Sequence, residues 1–232
     1  MVRTGSRSWL GPARGAKMVF HDREDAGRQL AARLSAFAGD PNLVVLGIPR
    51  GGVVVAYEVA WALGAPLDVF LAVKLPVPGQ EELAFGAMAE TGECFLDEDI
   101  VRAARVAPLQ IAQIVDAAKP RLQARSQMYR AERRAIALRG KTVILVDDGI
   151  ATGASIHVSI LALRSIEPAR LVVAVPVAPA KSCTRLRHLV DELVCVYEPQ
   201  VFDAVSQFYV QFPQSTHAEV AELLRRAAET AP

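Results

Sequence analysis

Short apolar runs recur along the chain: LVVLGI (residues 43–48), PLDVFLAVKL (66–75), VILVD (143–147), LVVAVPV (171–177) and DELVCVY (191–197). They are rich in β-branched residues and too short for buried helices, which predicts strands, the first of them covered on both faces. Between them the spacing changes. Ala26, Leu30, Leu34 and Phe37 recur at helical intervals, with Asp22 and Asp25 near the start as cap and dipole partners. VVVAYEVAWALG (53–64) reads as a second helix ending at Gly64, and residues 109–138 as a helical segment with a break or restart at Pro120. Strands alternating with helices predict an α/β fold, a parallel sheet with helices on both faces. One stretch breaks the rhythm. From Lys74 to Leu96 the chain has two prolines and three glycines, too long for a plain turn and therefore a lid or a small excursion.

At 232 residues with 52% hydrophobic and 22% charged side chains, the composition is that of a globular protein with an apolar lean. The net charge of +1 creates no demand for nucleic acid or an anionic membrane. Arg121, Arg125, Arg130, Arg133 and Arg134, with Glu132 among them, read as a solvated helix face and not as a nucleic-acid surface. Arg50, Glu58 and Asp68 interrupt the most apolar region, so no run approaches the ~18–20 residues a bilayer requires. Cys94, Cys183 and Cys195 lack C-x-x-C spacing, which argues against a disulfide framework and a zinc site and favours a reducing cytoplasm. Residues 1–17 are basic without an apolar segment; the expectation is a disordered extension before a single domain over 18–232, with Met18 an alternative start.

The chemistry concentrates in VILVDDGIATGAS, residues 143–155. Ligands of parallel sheets bind outside the carboxyl ends of strands, and this motif lies at such an end. Asp147 and Asp148 can accept hydrogen bonds from paired hydroxyls. Gly153 keeps the following turn open, Thr152 and Ser155 add hydroxyls, and backbone N–H groups at the next helix's N-terminus can close on a phosphate. Adjacent acids followed by Thr-Gly also make an ordinary turn and cap, but the whole ordered string is shaped for a sugar phosphate. His21 and His157 read as surface or capping residues.

VILVDDGIATGAS resembles the 5-phosphoribosyl 1-pyrophosphate signature of the type I phosphoribosyltransferase family. GIPRGG (47–52) stands where that family has its pyrophosphate loop, and residues 74–96 where it has a mobile catalytic loop. The likeness spans about residues 18–212; ELAFGAMAETG and FDAVSQFY narrow it to a set whose acceptor is unassigned. The resemblance implies transfer of a phosphoribosyl group to a nitrogenous acceptor with release of pyrophosphate, dependent on magnesium, in a homodimer. It implies that Asp147 and Asp148 bind the ribose hydroxyls directly or through Mg2+. Ala151, Thr152, Gly153, Ala154 and Ser155 would cradle the 5-phosphate, and Arg50, Gly51 and Gly52 would face the pyrophosphate. Lys74, Glu81 or Glu82 would act from the lid. Enzymes for 6-oxopurines carry an acid where this chain has Ala151, which turns the expectation away from hypoxanthine and guanine. Phe202, Phe208, Tyr209 and Phe212 lie in a hood-like segment, about 198–232, and either stack on a flat base or pack the end of the sheet. Two other readings remain: a non-catalytic sensor of the same metabolite or of a nucleotide, and a metal-dependent phosphohydrolase.

Overall fold

The computed structural model describes residues 20–130 and 134–230. In chain order its elements are α1 (Arg23–Arg33), β1 (Leu43–Gly47), α2 (Gly51–Leu63), β2 (Leu67–Val69), β3 (Ala72–Val77), β4 (Gln80–Ala89) and β5 (Cys94–Leu96). There follow α3 (Glu98–Ala103), α4 (Pro108–Arg130), β6 (Thr142–Val146), α5 (Ala154–Ser165), β7 (Arg170–Val177), α6 (Ala180–Arg187), β8 (Glu192–Tyr197) and α7 (His217–Thr230).

Five strands form a parallel sheet in the order β2-β1-β6-β7-β8. Because side chains alternate across a strand, each run supplies both faces. Val45, Ile144, Val146 and Val172 pack with Leu30 of α1 and Val55 and Val59 of α2. Val44, Leu46, Val143, Leu145 and Val173 pack with Ile156, Ile160 and Leu163 of α5. The fold class read from the alternating runs is the one observed. Asp22 caps α1 by accepting from the Asp25 amide at 2.8 Å, and Gly64 ends α2 at φ 62°, a conformation a side chain would resist.

Four expectations are corrected. The run at 66–75 is two strands belonging to two sheets, with the chain passing between them at Phe70 and Leu71. The stretch 74–96 is a small excursion, but a regular one: β3, β4 and β5 form an antiparallel sheet in which Lys74 pairs with Ala87, and Leu75, Val77, Phe85 and Met88 are buried. Its small residues disguised a period-two pattern, and Gly86 is required because a Cβ there would strike the Phe95 carbonyl. The helix from Pro108 to Arg130 continues through Pro120, which is exposed, so that water can serve the carbonyl left without a donor. Helix does not extend over 134–138. Finally, Arg130 does not belong to a solvated face. It is 4% exposed and bonds Asp68 of β2 and Glu90 beyond β4, joining the two sheets.

The C-terminal segment divides. Phe208 and Tyr209 are buried with Phe20 at the end of the sheet, where the Phe20 amide donates to the Phe208 carbonyl at 2.8 Å. Helix α7 packs against α2, α4 and β2. Among the described residues no helix is long and apolar enough to cross a membrane. The expectations for residues 1–17, Met18, Glu132 and Arg133 lie outside the described residues.

Candidate active site

Parallel pairing of β1 with β6 aligns Gly47 with Val146, so the turn after one strand and the acids after the other leave the sheet side by side. The Ile48 amide donates to the Val146 carbonyl at 2.9 Å. The peptide bond between Pro49 and Arg50 is cis, and Arg50 stands at the N-cap of α2. Gly51 and Gly52 form the first turn of α2, which begins two residues before the expected helix. A Cβ on Gly52 would lie 2.8 Å from Asp147 Cα, and one on Gly51 would collide with the Asp148 carboxylate and the Arg23 guanidinium. The glycines therefore admit the two acids to the helix N-terminus, a use that the expected pyrophosphate role did not include.

Arg23 was missed by sequence reasoning. Its Nε donates to Asp148 Oδ2 at 2.7 Å, and its NH1 donates to the Pro213 carbonyl at 2.7 Å. The guanidinium carbon lies 3.7 Å from the centre of the Phe212 ring, and Tyr209 Oη donates to the Asp148 carbonyl at 2.5 Å. A signal did exist: an arginine opening the first turn of a helix opposes the helix dipole and calls for a local carboxylate. Asp147 is held differently, its Oδ1 accepting from the Asp148 amide at 2.9 Å. Burial pushes the Asp147 carboxyl well above the usual range, and the charge of Asp148 adds to the shift. Burial also raises Asp148, with Arg23 opposing. Two half-buried carboxylates that resist joint ionisation, each with one oxygen already engaged, fit a hard divalent cation as donors.

The turn beyond β6 leads directly into α5. Gly153 sits at φ 78° as the N-cap of α5, while Ala151, Thr152, Ala154 and Ser155 are exposed. The first-turn amides of α5 have no acceptor within their helix. Helix α6 holds the turn from behind: Ser182 Oγ donates to the Ala151 carbonyl at 3.2 Å and Arg185 to the Thr152 carbonyl at 2.6 Å. Neither residue carried a signal in the sequence, because both act across the fold on backbone atoms.

A cleft of about 320 Å³ opens between this turn, the loop after β1 and the second sheet, lined among others by Pro49, Lys74, Arg125, Ser155 and Val158. Lys74 of β3 and Ser155 of α5 thus face one space, and Arg125 joins them from α4. Glu81 is exposed near the β3–β4 turn and does not line this cleft, and the side chain of Glu82 lies outside those described. The aromatic residues beside Asp148 pack on one another, Phe202 stacked with Phe208 at 5.3 Å and Tyr209 tilted against Phe212 at 4.8 Å. His21 is an exposed partner of Asp22. His157 lies in the first turn of α5, its amide donating to the Gly153 carbonyl at 2.9 Å.

The model of the phosphoribosyl transferase domain family matches residues 17–213. Two Mycobacterium tuberculosis strains have proteins, each named "Putative phosphoribosyl transferase", that are 44% identical to this chain over 214 residues, 90% of this chain and 47% of theirs. The chain spans about half the length of these curated relatives. Among solved structures, the protein TT1426 from Thermus thermophilus is 40% identical, with a TM-score of 0.81 over 90% of this chain and 99% of that one.

Proposed function

The chain belongs to the phosphoribosyl transferase family, and from that premise we propose that it transfers a phosphoribosyl group from 5-phosphoribosyl 1-pyrophosphate to a nitrogenous acceptor, releasing pyrophosphate. One observation carries this reading: the acid pair, the turn that opens α5 and Arg50 follow neighbouring parallel strands at the same end of the sheet, and Lys74 of the second sheet lines a cleft with Ser155 of α5.

The amides of the α5 turn, with Thr152 and Ser155, bind the 5-phosphate and set the position of the sugar. Asp147 and Asp148 lie along the ribose hydroxyls. The bond between the anomeric carbon and the pyrophosphate oxygen breaks with both electrons leaving on oxygen, and the acceptor nitrogen forms the new bond to that carbon. Positive charge develops on the sugar, as in glycosyl transfer generally, and the carboxylates stabilise it. Arg50 and Lys74 take up the negative charge that grows on the leaving group. Asp147 and Asp148 would hold Mg2+, which when bound would add positive charge on the side of the leaving group. Ala151 places no carboxylate beside the acceptor, which favours acceptors other than 6-oxopurines. Free thiols at Cys94, Cys183 and Cys195 support a cytoplasmic setting.

The test is calorimetric titration with 5-phosphoribosyl 1-pyrophosphate, with and without magnesium and against ribose 5-phosphate, followed by pyrophosphate release across a panel of nitrogenous acceptors. Magnesium-dependent binding and release with one acceptor class are expected. Binding without release for any acceptor would favour a sensor, and absence of binding would end the proposal.

A further inference from the structure

Cys183 and Cys195 are twelve residues apart in sequence and adjacent in space. Alternation along β8 turns Leu193 and Cys195 toward α6, where Cys183 and Leu186 are buried. Glu198, just past the end of β8, completes the group: the two Sγ atoms and a carboxylate oxygen lie within 4.8 Å of one another. Both thiols are free. Cys183 is fully buried and Cys195 and Glu198 are half-buried, so the cluster has one open side. Cys195 Sγ lies 3.2 Å from the Tyr197 carbonyl oxygen. Arg187 donates to Glu198 Oε1, which orients the carboxylate and leaves its second oxygen for another partner.

We propose that Cys183, Cys195 and Glu198 bind a soft divalent cation of the zinc class, at a site separate from the Asp147–Asp148 pair. Two sulfurs and one oxygen are a borderline-soft donor set that selects zinc over magnesium. Ligand atoms about 2.0–2.3 Å from a tetrahedral metal lie roughly 3.3–3.8 Å apart, so no pair in the cluster, now within 4.8 Å, need close by more than about 1.5 Å on binding. Both thiols release their protons to solvent as two sulfur–metal bonds form. The carboxylate adds an oxygen–metal bond, and water takes the fourth position through the open side. Arg187 supplies the outer hydrogen bond that a ligating carboxylate needs.

The consequence reaches the phosphate turn. Ser182 precedes Cys183 directly and Arg185 follows two residues later, and these two side chains hold the carbonyls of Ala151 and Thr152. A cation tying α6 to β8 braces the helix that positions the turn. The absence of C-x-x-C spacing concealed the site because its ligands come from a helix, a strand and the residue after that strand.

The test uses the full chain, kept reduced, titrated with Co2+ alone and then with Zn2+ alone. One thiolate-bound cobalt per chain is expected, read from its thiolate-to-cobalt charge-transfer band, with release of two protons and displacement by zinc. Cys195→Ser should abolish the band and weaken binding by about tenfold or more, Glu198→Gln should weaken it with the band retained, and Cys94→Ser should change nothing. Circular dichroism of each variant separates lost ligation from lost fold. A wild-type chain without the band, or a band that survives Cys195→Ser in a folded protein, overturns the proposal. So does cobalt binding that only Asp147→Asn with Asp148→Asn removes. None of these outcomes depends on whether 5-phosphoribosyl 1-pyrophosphate binds.

Discussion

Two regions of the molecule set one arginine against two carboxylates, and they do so in opposite ways. At the β2 edge, Arg130 bonds both acids: Nε reaches Asp68 Oδ1 at 2.7 Å and NH2 reaches Glu90 Oε1 at 2.8 Å. Glu90 Oε2, Ser126 Oγ and the Val69 carbonyl accept its remaining donors, and the Ile136 amide donates to Asp68. At the β6 end, Arg23 bonds only Asp148, while Asp147 turns to a backbone amide. The charge count is the same and the geometry is not. A closed network with its donors and acceptors matched has nothing left to offer a ligand and works as a joint between the sheets. An open one, with a second carboxylate kept from the arginine, holds negative charge at the crevice for a cation or a hydroxylated sugar to neutralise. Thus the number of charges in a cluster says little about its role; whether the hydrogen bonds close says more.

The largest expected effect falls on the closed cluster. Arg130→Ala leaves Asp68 and Glu90 buried without their cation and should cost about 3–5 kcal/mol in urea unfolding. A loss under about 1 kcal/mol would mean that the joint is no stronger than a surface pair, and the contrast would fail.

At the open cluster the loss should appear in activity. Asp147→Asn is expected to lower pyrophosphate release by about 10²–10³-fold while the melting temperature holds or rises, because burial opposes that charge and no arginine bonds it. Parallel losses of stability and activity would instead make the acids a structural cluster like Arg130's.

Arg23→Gln sharpens the comparison from between the two. It leaves Asp148 short of its strongest partner, and about 1.5–3 kcal/mol of stability should go with that charged hydrogen bond. Catalysis should fall as well, since Asp148 loses its orientation; kcat/KM against chemical denaturation separates the two effects.

The smallest effect concerns the helix that carries Arg23. Asp22→Ala removes the α1 cap and should cost about 1 kcal/mol near neutral pH. The Asp25 amide is the main cause that holds the Asp22 carboxyl below its ordinary 3.8, so the stabilisation is present above that value and disappears as pH falls through the lowered one. Wild type and variant should therefore converge in stability only once pH has fallen below 3.8 and through the lowered value, a convergence that thermal melts across pH would detect.

The residues most legible in the sequence are those whose signal is local. VILVDDGIATGAS combines a buried strand, a turn and a helix start within thirteen residues, and its acids and its turn stand as that grammar implies. Residues 74–96 read as irregular because Ala84, Gly86, Ala87 and Ala89 blur the inside-outside alternation from which a strand is recognised. Pro120 reads as a break because its exposure, which makes it tolerable, is a property of the packed helix. The aromatic residues of 202–212 had two uses open to them, and the structure packs them against Phe20 and one another at the end of the sheet.

What the chain determined by itself was the set of elements, their alternation, and the placing of paired acids and a glycine-opened turn at one strand end. Backbone propensity and side-chain period act over a few residues, so a linear reading recovers them. The partners were decided only by the tertiary structure. Arg23 meets Asp148 across 125 residues and Arg130 meets Asp68 across 62. Cys183 meets Cys195 because a helix and an edge strand pack face to face. A long charged or polar side chain can satisfy itself with many neighbours, and nothing in its own position names which one. Burial chooses, because a charge leaving water must find its partner within hydrogen-bond reach, and which groups are within reach is settled only when the sheets and helices close.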